Sequence, residues 1–116
     1  MSDCIFCKIA AGEIPADKVY EDEKMVAFRD LAPAAPVHVL LVPKTHADNV
    51  TEADPALVGH IMGKAGDIAG ALGIRETGFR LVINTGADGG QTVQHLHIHL
   101  LGGTPMGWPP FPLELG

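Results

Sequence analysis

Lysine and arginine are scarce. The 116-residue chain has eight of them against fourteen acidic residues, a formal net charge of −6. The basic residues form no cluster. That excludes a nucleic-acid polymer as partner, because binding one needs several cations on phosphates. A mononucleotide is not excluded, since backbone N–H groups can hold a single phosphate. Long apolar runs are missing as well. None approaches the roughly 18 residues of a membrane span, so no membrane association is expected. Met1-Ser2-Asp3-Cys4 offers neither a charged n-region nor an apolar h-region, so no signal peptide is expected and the compartment is read as cytoplasmic. Cysteine is limited to Cys4 and Cys7, expected there as thiols rather than a structural disulfide. There are no repeats or low-complexity tracts. A chain of this length is one domain, 1–116, with room for one core.

What the chain does have is Gln94-His95-Leu96-His97-Ile98-His99-Leu100-Leu101. Histidine and an aliphatic residue alternate with period two, the period of a strand. His95, His97 and His99 then share one face, with stems about 6–7 Å apart. Leu96, Ile98 and Leu100 share the other. The apolar face packs on a core, and the histidine face must meet ligand, metal or solvent. An imidazole near neutral pH is a nucleophile, a proton carrier and a metal ligand.

In chain order, Cys4–Ala11 reads as a short helical turn stopped at Gly12. Lys18–Tyr20 and Met25–Arg29 read as strands. Two prolines, Pro33 and Pro36, make the next stretch a rigid loop. His38–Val42 is a buried strand ended by Pro43. Asp54-Pro55 is a helix start. From there Leu57, Val58, Ile61, Met62, Ala65, Ile68, Ala69 and Leu72 recur at three and four, to a stop at Gly73. His60 falls on the polar side and is read as solvated. Gly59, Gly63, Gly66 and Gly70 each cost this helix up to about 1 kcal/mol relative to Ala, in a pattern that resembles close helix packing. Phe79–Asn84 is a fourth strand, Thr85–Val93 a glycine-rich connection and Gln94–Leu101 the triad strand. Short strands in antiparallel order with one long helix mean α+β. Gly102–Gly116 is a Gly/Pro-rich tail expected to lie on a partner's surface.

Four groupings carry chemistry. The loop Asn84-Thr85-Gly86-Ala87-Asp88-Gly89-Gly90-Gln91-Thr92 can turn N–H groups toward an anion, and Thr92 adds a hydroxyl. Phe28 and Asp30 share a face. They are either a purine platform with a ribose acceptor or a core Phe with a turn Asp. His38 is a fourth histidine, placed either for structure or to orient an imidazole of the triad. Cys4-Ile5-Phe6-Cys7 is a Cys-x-x-Cys, which can be half of a tetrahedral zinc site, a redox pair or two small buried thiols. No thioredoxin-like unit is visible to favour the redox pair.

His95-Leu96-His97-Ile98-His99-Leu100-Leu101 resembles the histidine-triad (HIT) pattern. Val42-Pro43-Lys44, Asn84-Thr85-Gly86, Asp88-Gly89-Gly90-Gln91, Gly102-Gly103 and Trp108-Pro109-Pro110 are similar to segments of its Hint branch. The resemblance covers most of the chain. It implies a HIT fold: a five-stranded antiparallel sheet, one long and one short helix, and a sheet continued across a homodimer. It implies hydrolysis of purine nucleoside 5′-phosphoramidates, and related adenylates, through a nucleotidyl-histidine intermediate. His97 would be the nucleophile, and His99 would donate to phosphate oxygens. His38 would orient an imidazole, and Asn84, Gly90, Gln91 and Thr92 would surround the phosphate. The Hint branch often has serine where Thr92 stands. Ile5, Phe6, Ile9, Phe28, Asp30 and Leu31 would form the nucleoside pocket. Trp108 would reach the partner's site.

Bacterial relatives with this cysteine pair imply a structural Zn²⁺ on Cys4, Cys7, His46 and His95. That ion would pin the N-terminal helix to the catalytic strand, and the chemistry itself would need no cofactor. Two other readings are a dinucleoside polyphosphate hydrolase and a nucleotide-binding or scaffold protein without turnover. A third is a zinc module without catalysis.

Overall fold

The computed structural model describes residues 3–111. The elements are α1 (Ile5–Ala10), β1 (Lys18–Glu21), β2 (Met25–Arg29), β3 (Val37–Pro43), α2 (Pro55–Ala71), β4 (Phe79–Val82) and β5 (Ile98–Gly102). The strands form one antiparallel sheet in the order β1-β2-β3-β5-β4. This is the expected α+β architecture, with five strands, one long helix and one short. The end of the tail, residues 112–116, lies outside the described residues.

Period two divides the side chains of the sheet between two helices. Met25, Ala27, Val39, Leu41, Ile98 and Leu100 pack with Ile61, Ala65, Ile68 and Ala69 of α2. Their strand neighbours Val26, Phe28, Leu40 and Val42 pack with Phe6 and Ile9 of α1. β2 and β3 are buried on both faces because each face carries a helix. The long helix starts as its sequence requires. The Asp54 carboxylate accepts from the Ala56 N–H at 3.1 Å, and Pro55 sits where no N–H is needed. It ends at Gly73, whose φ of +77° is open to glycine at no steric cost.

Three expectations need correction. The triad strand begins at Ile98, not Gln94, and the fourth strand ends at Val82, not Asn84. The ladder stops because β3 pairs with β5 only as far as Leu41–Ile98, and β4 only as far as Val82–His99. Beyond them the Leu96 N–H turns to the Ala47 carbonyl, 2.7 Å away. The alternation of faces persists through the irregular stretch, so the histidines still line up. His60 is not simply solvated, because its Nε2 bonds Asp22 Oδ2 at 2.8 Å and ties α2 to the β1–β2 turn. The helical glycines at 59, 63 and 66 meet no packing partner within this chain. A Cβ at Gly59, Gly63 or Gly66 would meet nothing within 4 Å.

Candidate functional site

The face of the sheet under α1 carries the histidines. A cleft of about 320 Å³ opens there, lined by Ile5, Phe6, Ile9, Phe28, Asp30, Leu31, Thr92, His97 and His99. Its volume suits a small ligand. Phe6 and Phe28 meet edge to face at 5.7 Å. Leu31 stands fully exposed at the rim. The structure also lines the cleft with Ile14, Pro15, Ala16, Asp17, Arg29, Leu40 and Val93, which sequence reasoning passed over. The β1–β2 pairing brings Asp17 beside Arg29, whose Nε is 3.4 Å from the Asp17 carboxylate. No local signal announces that contact.

Asn84, Gly90, Gln91 and Trp108 do not line this cleft. The Gln91 side chain clips the glycine loop shut. Its Oε1 accepts from the Gly86 N–H at 3.1 Å, and its Nε2 donates to the carbonyls of Asp48 and Val93 at 2.6 and 2.9 Å. Trp108 is 82% exposed, on a tail that Arg80 holds through the Gly107 carbonyl at 2.9 Å. His38 lies behind His99 rather than in the cleft and is buried.

Hydrogen bonds assign the imidazole protons. His97 Nδ1 is 2.8 Å from the His95 carbonyl, which can only accept. The proton is therefore on Nδ1, and Nε2 keeps its lone pair. His38 Nδ1 accepts from the Ala34 N–H at 3.0 Å, so its Nε2–H donates to His99 Nδ1 at 2.8 Å. That leaves the proton of His99 on Nε2, a buried donor with no partner among the described residues. A buried donor without an acceptor costs about 1–3 kcal/mol. Its ring and that of His97 lie 5.0 Å apart on the wall of the cleft. Burial pushes the His99 imidazole down to about 4, with His97 and His38 adding to the shift. His99 is thus a neutral donor beside the Nε2 of His97. Asp30, His38 and His99 also bring their ligand atoms within 4.8 Å of one another, with His38 Nε2 bonded to His99 Nδ1.

Beside His97 and His99, Cys4, Cys7, His46 and His95 converge so that all four ligand atoms lie within 4.8 Å of one another. His95 Nε2–H donates to the Pro43 carbonyl at 2.9 Å, and His46 Nε2–H to Asp48 Oδ1 at 2.9 Å. Both Nδ1 lone pairs therefore turn inward and face each other at 3.1 Å. The sulfurs lie 3.2 and 3.4 Å from His95 Nδ1, and Cys7 Sγ lies 3.3 Å from His46 Nδ1. Bond lengths to zinc of 2.0–2.3 Å give a tetrahedron with edges of roughly 3.3–3.8 Å. The donor set and spacing fit Zn²⁺, with Asp48 and Pro43 orienting the histidines from outside. Burial lowers the His95 imidazole, which favours the unprotonated ligand form. The His46-x-Asp48 spacing was a readable sign of Asp48's part.

The HIT domain profile matches residues 11–106. The chain is 55% identical over 109 residues to Protein HitA of Neisseria gonorrhoeae, covering 91% of this chain and all of that one. Its fold is similar to a HIT family hydrolase from Legionella pneumophila. The TM-score is 0.90 at 47% identity, over 94% of this chain and 100% of that one. A histidine triad nucleotide-binding protein from Candida albicans aligns with a TM-score of 0.82 at 31% identity, over 97% and 87% of the two chains. A zinc-bound histidine triad family protein from Mycobacterium smegmatis aligns at 0.79 with 34% identity, over 86% and 74%.

Proposed function

The chain belongs to the HIT domain family, and on that premise we propose that it is a nucleotidyl hydrolase of the Hint type. Its substrates are purine nucleoside 5′-phosphoramidates and related adenylates. One observation carries the reading: the lone pair of His97 Nε2 stands beside the partnerless His99 Nε2–H on the wall of one cleft. Phosphoryl chemistry needs both an unprotonated nucleophile and a donor for the oxygens around phosphorus.

In this reading Phe28 and the aliphatic walls take the purine. Asp30 takes the ribose hydroxyls through its carboxylate, whose Oδ1 also accepts from the Ala32 N–H at 2.8 Å and whose Oδ2 lies 3.5 Å from His38 Nε2. His97 Nε2 attacks phosphorus, the P–N bond to the leaving amine breaks, and the hydroxyl of Thr92, which lines the cleft, relays a proton from solvent to the amine. His99 Nε2–H holds a non-bridging oxygen throughout. Water then opens the phospho-imidazole bond and releases the nucleoside monophosphate. His38 keeps the His99 proton on Nε2.

Structural zinc on Cys4, Cys7, His46 and His95 belongs to the same proposal, supported by the converging lone pairs and by the zinc-bound relative. It supplies a cross-link from α1 to the triad segment and takes no step in the reaction. The Cys4→Ser/Cys7→Ser variant should lose about one zinc per chain and several degrees of melting temperature. A wild-type protein purified without chelator and lacking zinc would count against the site. The functional unit is a homodimer in the cytoplasm.

The test is single-turnover reaction with a labelled purine nucleoside phosphoramidate, followed by acid-free quench and peptide mapping. Label on His97 is expected. His97→Ala should lose turnover by several orders of magnitude while still binding AMP. Label elsewhere, or binding without any turnover of phosphoramidates, adenylates or dinucleoside polyphosphates, defeats the enzyme reading and leaves a binding protein.

A further inference from the structure

We propose that Phe6 couples the metal site to the nucleotide site, so that metal and nucleotide tighten each other's binding. The inference rests on the nucleotide reading above. It starts from the shortness of α1. Six residues are too few to hold a helix by themselves, since isolated helices under about 12 residues are marginal in water. Phe6 and Ile9 pack it on the sheet, and a second set of contacts tethers its start. The tethers are the cysteines, which reach His95 Nδ1 at 3.2 and 3.4 Å and, from Cys7, His46 Nδ1 at 3.3 Å.

Phe6 stands between those cysteines in sequence and turns under the helix, only 7% exposed. Its ring is edge-on to three others: the metal-site His95 at 5.9 Å, the nucleophile His97 at 5.1 Å and the purine platform Phe28 at 5.7 Å. One side chain therefore touches the metal ligand, the attacking group and the base-binding surface. A second link runs beside it, because the His95 main-chain carbonyl holds the His97 Nδ1–H at 2.8 Å. Ile5 and Ile9 of the same helix also line the cleft.

With metal bound, this wall is in place before a nucleotide arrives. Without it, the cysteines keep only weak hydrogen bonds to the two Nδ1 atoms, and α1 is held by the apolar contacts of Phe6 and Ile9 alone. The nucleotide must then order the helix itself, and that cost reduces its affinity. Coupling of this kind is reciprocal: whatever factor the metal adds to nucleotide affinity, the nucleotide adds to metal affinity.

AMP is the probe, titrated by calorimetry against zinc-loaded and zinc-stripped protein. Loaded wild type should bind roughly ten-fold more tightly, within the usual range of such couplings. Phe6→Ala should bind AMP more weakly but nearly equally in the two states. A second arm needs only loaded protein and holds even where the stripped chain unfolds. Saturating AMP should slow zinc release to a chromophoric chelator several-fold in wild type and not in Phe6→Ala. Equal AMP affinity with unchanged zinc release overturns the coupling. Full coupling retained in Phe6→Ala overturns the role of Phe6. Failure of AMP to bind loaded wild type overturns the nucleotide reading beneath it, whereas binding without coupling overturns this inference alone.

Discussion

The proposed function gives three neighbouring imidazoles on one segment three different tasks, and what separates them is where each proton sits. His95 carries it on Nε2 for Pro43 and turns Nδ1 to the metal site. His97 carries it on Nδ1 for the His95 carbonyl. His99 carries it on Nε2 because His38 fills Nδ1. Alternation in the sequence placed the three rings on one face, and the pattern of residue types was enough for that. It could not place the protons, which depend on the carbonyls of His95 and Pro43 and on the Ala34 N–H. His99 gives a measurable consequence. Its imidazole falls to about 4 from a usual 6.5 because burial opposes the charge. Between those values the unfolded chain binds a proton that the folded chain refuses. Folding stability therefore falls as pH falls from 6.5 toward 4, and this contribution is fully present above 6.5. His99→Asn removes the group, so its stability should decline less steeply than wild type over that window. An NMR titration of the His99 ring should show a midpoint near 4, and a midpoint at 6 or above would refute the neutral-donor role.

At the scale of elements, most boundaries follow from local chemistry: Asp54-Pro55 opens α2, Gly73 closes it, and Pro43 ends β3. The start of β5 was not legible, because the triad alternates as a strand whether or not neighbours pair with it. Pairing is decided by β3 and β4, far away in sequence. The bond from His60 to Asp22 was hidden for the same reason. A histidine on the polar side of a helix looks solvated until the β1–β2 turn is folded against it. Burial alone would raise the Asp22 carboxyl. Hydrogen bonds from the Lys24 and Met25 N–H groups, the Tyr20 hydroxyl and the His60 ring outweigh it and hold the carboxyl well below the usual range. A depressed carboxylate stabilises the fold above its ordinary pKa and loses that stabilisation as pH falls through the folded value. His60→Ala should cost about 1–2 kcal/mol in urea unfolding at neutral pH. Asp22→Asn should cost more, because it weakens every bond at the hub, and the gap to wild type should narrow in acid. Two variants as stable as wild type would show that the turn is held by the sheet alone.

At the scale of the molecule, several features have no use within one chain. β4 is an outer strand whose far edge has no strand partner among the described residues. The other outer strand, β1, carries Lys18 and Glu21, with Lys44 against Glu21 at 2.8 Å. Charges of that kind discourage edge pairing. β4, Phe79-Arg80-Leu81-Val82, has one charge and is free to continue the sheet into a second copy. On α2 the glycines at 59 and 63 are exposed beside Met62, itself 40% exposed, and Gly66 is partly so. Each costs up to about 1 kcal/mol of helix propensity with no return inside the chain. Close approach of a second helix gives that return. Sedimentation at micromolar concentration should therefore report twice the 12.2 kDa chain mass. Gly63→Glu meets no atom of its own chain within 4 Å of its Cβ, so it should fold and yet sediment as a monomer. Trp108 is 82% exposed and does not line the cleft of its own chain, and its proposed role is to reach the partner's. Trp108→Ala should leave dimer mass and melting temperature unchanged and alter the ranking of phosphoramidates by kcat/KM. The dimer fails if wild type sediments at the mass of one chain. The reach of Trp108 fails if its loss leaves the substrate ranking as it was.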